Sequence, residues 1–311
     1  MNRRDFLRGS MVGAAGLGLV GGMPLAAIAR PDTVRLTILH TNDLHSRIEP
    51  LPDDGRRYGG MGGLSRLASL VRQIREQEEQ VLLLDAGDVF QGTPYFNFFG
   101  GELEYKLMTQ MGYDASTLGN HDFDNGLEGL EKMLPFADFP FLTANYDFSR
   151  TRLQGRFAPY KVFTKEGIRV GVFGLGIQLA GLVSPNLSRE TVYLDPVTTA
   201  RETVAILREQ EKCQLVVCLS HLGYRYESEK IDDRKLAVQV SGIDLILGGH
   251  THTFMPSPED ITAPDGHQTL INQVGWSGIH LGRVDYGFSR RSGRVKSVAS
   301  TALPVGPIAK T

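Results

Sequence analysis

The chain has 311 residues, of which 41% are hydrophobic and 22% charged, with a formal net charge of −2 at pH 7. That length suits one large domain or two small ones, and the composition is that of a globular protein without repeats or low-complexity tracts. The slightly acidic balance excludes non-specific nucleic-acid binding, and two cysteines are too few for a disulfide framework.

The first 29 residues read as a targeting segment. Arg3-Arg4, Phe6-Leu7 and Arg8 precede an uncharged stretch from Gly9 to Ala29 that ends in Ala27-Ile28-Ala29, an A-x-A cleavage pattern. The segment resembles a twin-arginine export signal, which implies a periplasmic or extracellular protein with no stable membrane anchor after cleavage. The stretch is just long enough to span a bilayer. Five glycines between residues 13 and 22, with Pro24, make it only mildly hydrophobic, which suits an export signal better.

From residue 33 onward, short apolar runs end in polar or Gly-rich loops and helix-like segments follow. "VRLTILH" (34–40) leads into "TNDLHS". Residues 64–80 place Leu64, Leu67, Ala68, Val71 and Ile74 on one helical face. Further strands are predicted at 81–88, 139–146 and 168–176. A helix is predicted over 195–210, with Asp195 as N-cap and Pro196 at its first position. Cys213 and Cys218 flank "QLVV" at an offset that puts them on opposite faces of a strand, and both read as buried small hydrophobes. Strands at 214–223 and 243–253 repeat the strand-to-loop pattern, and "TLINQV", "IHLGRVDYGFS" and "RVKSVAST" read as an antiparallel meander with "RRSG" as a turn. The order argues for an α/β domain of mostly parallel strands with an antiparallel addition.

Polar residues fall at the C-terminal ends of five apolar runs. Asp43 and His45 follow the first, Asp88 the second, Asn120 and His121 the run "DASTL", His221 the run "QLVVCLS", and His250 and His252 the run "DLILGG". In open α/β sheets those ends form the usual site crevice. Five of the eight histidines lie there. The pairs Asp43-x-His45 and His250-x-His252 point the same way if the backbone is extended. Oxygen and imidazole donors without thiolate suit Mn, Fe, Co or Zn. His40, within its strand, and Asp85 read as structural, His267 as exposed loop, and His280 as a sheet residue. "RYGGMGG" (57–63) lacks the lysine of a phosphate-binding loop and shapes a loop over the site instead.

The motifs "D-x-H" (43–45), "GD" with "FQGT" (87–93), "GNHD" (119–122), "SH" (220–221) and "GGHTH" (248–252) resemble those of calcineurin-like metallophosphoesterases. Over residues 33–288 the wording "ILHTNDLHS", "LLLDAGDVFQGTPYF" and "LGNHDFDNG" is similar to the N-terminal catalytic domain of 5′-nucleotidases. The resemblance implies a four-layer αββα sandwich of two mixed sheets flanked by helices, within a single catalytic domain over 30–311. It also implies two divalent metal ions (Mn, Zn, Fe or Co). Asp43, His45 and His252 would hold one ion, Asn120, His221 and His250 the other, and Asp88 both. His252 departs from the 5′-nucleotidase pattern, which often has Gln there.

The implied chemistry is hydrolysis of phosphate esters, foremost those of nucleotide type, by metal-activated hydroxide. His121 would assist the leaving group, with Asp124 or Asp122 orienting its ring. A plainer reading of 120–125 is a polar turn capping a helix that begins near Leu127. Full-length 5′-nucleotidases carry a second domain that supplies nucleoside contacts, and the expectation is that this chain does without it. A split nucleotidase with a separate C-terminal-domain chain, and a non-catalytic binding module on the same scaffold, are the competing expectations.

Overall fold

Period-2 alternation in the strands fixes the layers. In β1 (Thr33–Thr41) and β2 (Val81–Asp85), Val34, Leu36, Ile38, Leu82 and Leu84 face one way, while Leu39, Val81 and Leu83 face the other. The same split recurs in β8 (Leu215–Ser220) and β9 (Leu245–Gly248), where Leu215, Val217, Leu219, Leu245 and Leu247 oppose Val216, Cys218 and Ile246. Strands apolar on both faces must be covered on both. The computed structural model, which describes residues 32–307, meets that demand with two sheets stacked face to face and helices outside. The segment read as an export signal lies outside the described residues.

The first sheet has the order β13-β12-β1-β2-β3, with β3 at Ala115–Ser116, β12 at His280–Ser289 and β13 at Val295–Pro304. The second runs β10-β11-β9-β8-β6-β5, with β5 at Tyr160–Lys165, β6 at Ile168–Leu175, β10 at Glu259–Thr262 and β11 at Gln268–Asn272. A two-stranded ribbon pairs β4 (Tyr146–Asp147) with β7 (Val192–Tyr193). Outside the first sheet, α1 (Leu64–Gln77) buries Leu64, Leu67, Val71 and Ile74; α2 (Pro94–Phe99), α3 (Glu102–Met111) and α4 (Gly126–Met133) lie on the same side. After the short α5 (Pro185–Ser188), α6 (Pro196–Ala205) and α7 (Asp233–Gln239) cover the second sheet. This is the αββα sandwich. Among the described residues no helix is long and apolar enough to cross a membrane.

Several local expectations change. Residues 139–146 form no continuous strand: Leu142, Thr143 and Ala144 donate in turn to Ser116, Ala158 and Gly174, so the segment stitches neighbouring backbones together. β11 is parallel to β9 rather than part of the C-terminal meander. Asp195 does cap α6 by accepting from Thr198 N, but the helix turns to π winding at Ile206–Gln210. Cys213 lies before β8 and packs into the same cluster as Cys218. His267 is half-buried, its ring 2.9 Å from the Ile243 carbonyl, and is not loose.

Candidate dinuclear metal centre

The loops after β1, β2, β3, β8 and β9 meet at one edge, so the centre draws side chains from both sheets. Backbone bonds lace the loops. Asp43 N donates to Gly87 O at 2.9 Å, His45 N to Asp88 O at 3.1 Å, and His221 N to Leu175 O at 2.8 Å. Asp43, His45, Asp88, His250 and His252 all have φ between 49° and 69°. The extended backbone expected for Asp43-x-His45 and His250-x-His252 is therefore absent. Left-handed turns aim these side chains, a conformation uncommon for non-glycine residues that concentrates at functional sites. Gly119 is required by space: a Cβ there would stand 2.1 Å from Asp88 Oδ1.

Two donor groups result. Asp43, His45 and His252 form one; Asp88, His221 and His250 form the other; within each, the ligand atoms lie within 4.8 Å of one another. In the first, His45 Nε2 is 2.9 Å from His252 Nε2, and Asp43 Oδ1 is 3.3 Å from the latter. The His45 ring can donate through Nδ1 to Phe90 O at 3.3 Å, which turns an Nε2 lone pair toward His252. In the second, the acceptor that meets His221 Nδ1 is Ala86 O at 2.7 Å, so Nδ1 is the donor. His221 Nε2 then lies 3.0 Å from Asp88 Oδ2 without hydrogen-bond alignment. Asn120 Oδ1 is also buried without a partner among the described residues. Buried acceptors facing one another cost free energy unless a cation sits between them. The donor set fits divalent cations on that ground.

The electrostatics agree. Burial disfavours charge on His221, but Asp88 and Asp43 outweigh it and push the imidazole up to about 10. Burial likewise opposes ionisation of Asp88, yet His221, His45 and His121 hold its carboxyl well below the usual range. His250 is pushed down to about 4 by burial and then by His221. Without a metal, these carboxylates favour the charged form of His221; a cation held by the same ligands would supply that positive charge instead.

His121 stands at the rim, its ring 5.3 Å from that of His45. Its Nδ1 lies 2.8 Å from Asp124 Oδ2, and this bond raises its pKa against the effect of partial burial. Asp122 is turned inward. It accepts from the backbone N–H groups of Asp88, Val89, Phe90 and Gly119 at 2.8–3.4 Å. Asp122 is thus a buried anchor of two loops and does not orient His121. Asp85 plays a similar part, accepting from Thr41, Gly87 and Ser116.

Two residues went unread in the sequence. Asn42 donates to Asp43 Oδ2 and to Gly275 O, both at 2.6 Å, and accepts from Val274 N at 3.0 Å. Gln273, fully buried, donates to Gly249 O at 2.6 Å and accepts from Thr253 N and Thr251 Oγ1, gripping the loop that carries His250 and His252 on both sides. A signal existed: "TLINQ" ends in amides just as the other apolar runs end in ligands. Tyr58, from the Gly-rich 57–63 loop, stacks on Phe254 at 4.8 Å, which sets that loop beside the same segment.

An αββα sandwich whose strand ends gather imidazoles and carboxylates into two candidate cation sites defines the metallophosphoesterase class of scaffold. A family profile described as calcineurin-like phosphoesterase matches residues 36–254, and the chain belongs to that family. Its relatives include 5′-nucleotidases. It is 35% identical over 303 residues to the 5′-nucleotidase of Bos taurus, covering 91% of this chain and 51% of the relative. It is 34% identical over 294 residues to the snake venom 5′-nucleotidase of Gloydius brevicauda, covering 86% and 48%. The crystal structure of a 5′-nucleotidase precursor from Thermus thermophilus superposes with a TM-score of 0.79 at 35% identity, over 88% of this chain and 55% of that one. The chain thus spans about half the length of these relatives.

Proposed function

We propose that this protein is an exported phosphoesterase that hydrolyses phosphate esters of nucleotide type. The observation that carries the reading is two groups of converging ligand atoms, Asp43, His45 and His252 in one and Asp88, His221 and His250 in the other, with His221 Nε2 and Asn120 Oδ1 buried without a hydrogen-bond partner. Asp43, His45 and His252 would hold one divalent ion, Asn120, His221 and His250 the other, and Asp88 both. Bound there, the ions would neutralise phosphoryl oxygens and lower the pKa of water enough to supply the nucleophile near neutral pH. His121 donates a proton to the departing ester oxygen. Asp124 holds its ring through Nδ1 and favours the charged form, leaving Nε2 as the donor. Asp122 and Gln273 keep the loops in register while this happens. The venom relative and the Arg3-Arg4 segment support export.

The test is metal analysis followed by hydrolysis assays with p-nitrophenyl phosphate, its bis-ester and 5′-AMP in the presence of Mn²⁺. Turnover that tracks bound metal is expected. A protein that binds metal and turns over none of the three is a binding module, and the enzyme reading fails. A second reading is a catalytic half that works with a separate chain supplying nucleoside contacts. It predicts slow 5′-AMP hydrolysis that rises when such a chain is added.

A further inference from the structure

The imidazoles of the candidate centre are held by different means. His45 and His221 are fixed through Nδ1, to Phe90 O at 3.3 Å and to Ala86 O at 2.7 Å. His252 has no such bond. Among the described residues nothing accepts from or donates to its Nδ1, and its side chain is 40% exposed where those of Asp43 and His45 are 0% and 12%. An imidazole free to turn makes a poor ligand, because ordering it on binding costs rotamer entropy.

What meets this ring is Trp276, the chain's single tryptophan, in the loop after β11. Indole and imidazole stack with centroids 6.1 Å apart and planes 19° from parallel, within the range of offset ring pairs. His45 meets the same imidazole edge-on, with centroids 4.9 Å apart. The Trp276 loop is tied to both ligand-bearing segments of that donor group. Ser277 N donates to Asp43 O at 2.7 Å, Gly275 N to Thr253 O at 3.0 Å, and Asn42 Nδ2 to Gly275 O at 2.6 Å. Gly275, at φ 83°, lets the loop pass Phe254, since a Cβ there would stand 2.1 Å from that ring. The backbone therefore fixes where the indole stands.

We propose that Trp276 is a positioning residue for the Asp43–His45–His252 cation site: its face holds the His252 ring so that Nε2 points at Asp43 and His45. The inference rests on the phosphoesterase reading of the centre and adds a residue that acts, through His252, on one ion of the two. A cation-bound imidazole carries positive charge, which the electron-rich face of an indole favours, so the stack strengthens as that site fills.

The experiment is a calorimetric titration of Co²⁺ into the full chain cleared of metal by chelator. Trp276→Leu weakens one of the two sites by about tenfold, the scale of losing a group that orients a metal ligand, and leaves the other unchanged. Trp276→Phe keeps a ring face and stays within about threefold of wild type. In a His252→Gln background, where no imidazole remains to be held, Trp276→Leu has no further effect. Equal losses at both sites, no loss at either, Phe as damaging as Leu, or the same tenfold loss beside His252→Gln overturns the inference. Should Trp276→Leu fail to fold, the emission of the sole indole decides instead: it changes between wild type and His252→Gln if the rings touch, and identical spectra overturn the inference. Turnover is not read here, so a chain that binds both ions and hydrolyses no ester defeats the functional reading while the titrations still decide the role of Trp276.

Discussion

His121 and Asp124 are three residues apart on a short 3-10 turn, and their 2.8 Å contact ties a rim imidazole to a carboxylate that belongs to neither donor group. Replacing Asp124 by Asn removes the charge that favours the imidazolium. The expected result is a kcat reduced by about 10²–10⁴-fold, the usual range for losing a positioned acid, with metal content unchanged by elemental analysis. Loss of metal instead would place His121 or Asp124 among the ligands. Gln273 belongs to the opposite case: Gln273→Leu frees the carriers of His250 and His252 and should weaken metal affinity by about 10–100-fold in a calorimetric titration. At this scale the sequence was legible where a residue's chemistry is its role. Asp43, Asp88 and His221 announce themselves at strand ends. The choice between Asp122 and Asp124 was not legible, because it depends on which carboxylate meets four inward N–H groups, and only the folded turn decides that.

Elements obey their patterns until two backbones approach. The α1 periodicity gives its buried face, Leu64, Leu67, Val71 and Ile74, with Ala68 only half-buried beside them, and the helix stops at Gln77, with Glu78 already extended. The apolar run 139–146 reads as a strand, yet it crosses the end of β6, where Gly174 accepts from Ala144 N at 2.8 Å. A Cβ on Gly174 would stand 1.8 Å from Leu142 O and 2.6 Å from Thr117 Oγ1, so this glycine makes the crossing possible. Sequence periodicity carries no information about such a neighbour. Gly174→Ala should cost about 3 kcal/mol, the upper end of overpacking, and lower Tm by at least roughly 5 °C in a thermal melt. Gly306→Ala, where an added Cβ meets nothing within 4 Å, should leave Tm where it is. Equal melts for the two variants would mean that the 142–144 segment yields freely.

Across the whole molecule the centre bridges two sheets, since Asp43, His45, Asp88 and Asn120 come from the first and His221, His250 and His252 from the second. Cations bound there cross-link the sandwich, so chelation should lower Tm in proportion to metal affinity, as linkage requires. The packing between sheets also carries a proton-linked term away from the metals. His40 is fully buried in β1, paired with Gly282 of β12, with Asn272 Nδ2 3.2 Å from its Nε2 and no partner for Nδ1 among the described residues. Burial pushes its pKa down to about 3. The folded form therefore keeps His40 neutral, whereas the unfolded chain protonates it near pH 6.5. The unfolded state binds the extra proton, so this contribution to stability is complete above about pH 6.5 and is lost as pH falls from there toward about 3. One proton corresponds to about 1.4 kcal/mol per pH unit in that window. In chelator-treated protein the other groups titrate alike in wild type and His40→Gln, so the difference between their denaturation curves isolates this group. The variant should show a shallower fall in unfolding free energy between about pH 6 and about pH 4, by up to that slope. Parallel curves would show that water reaches His40 in the folded state, and that the seam between the sheets is wetter than its packing implies.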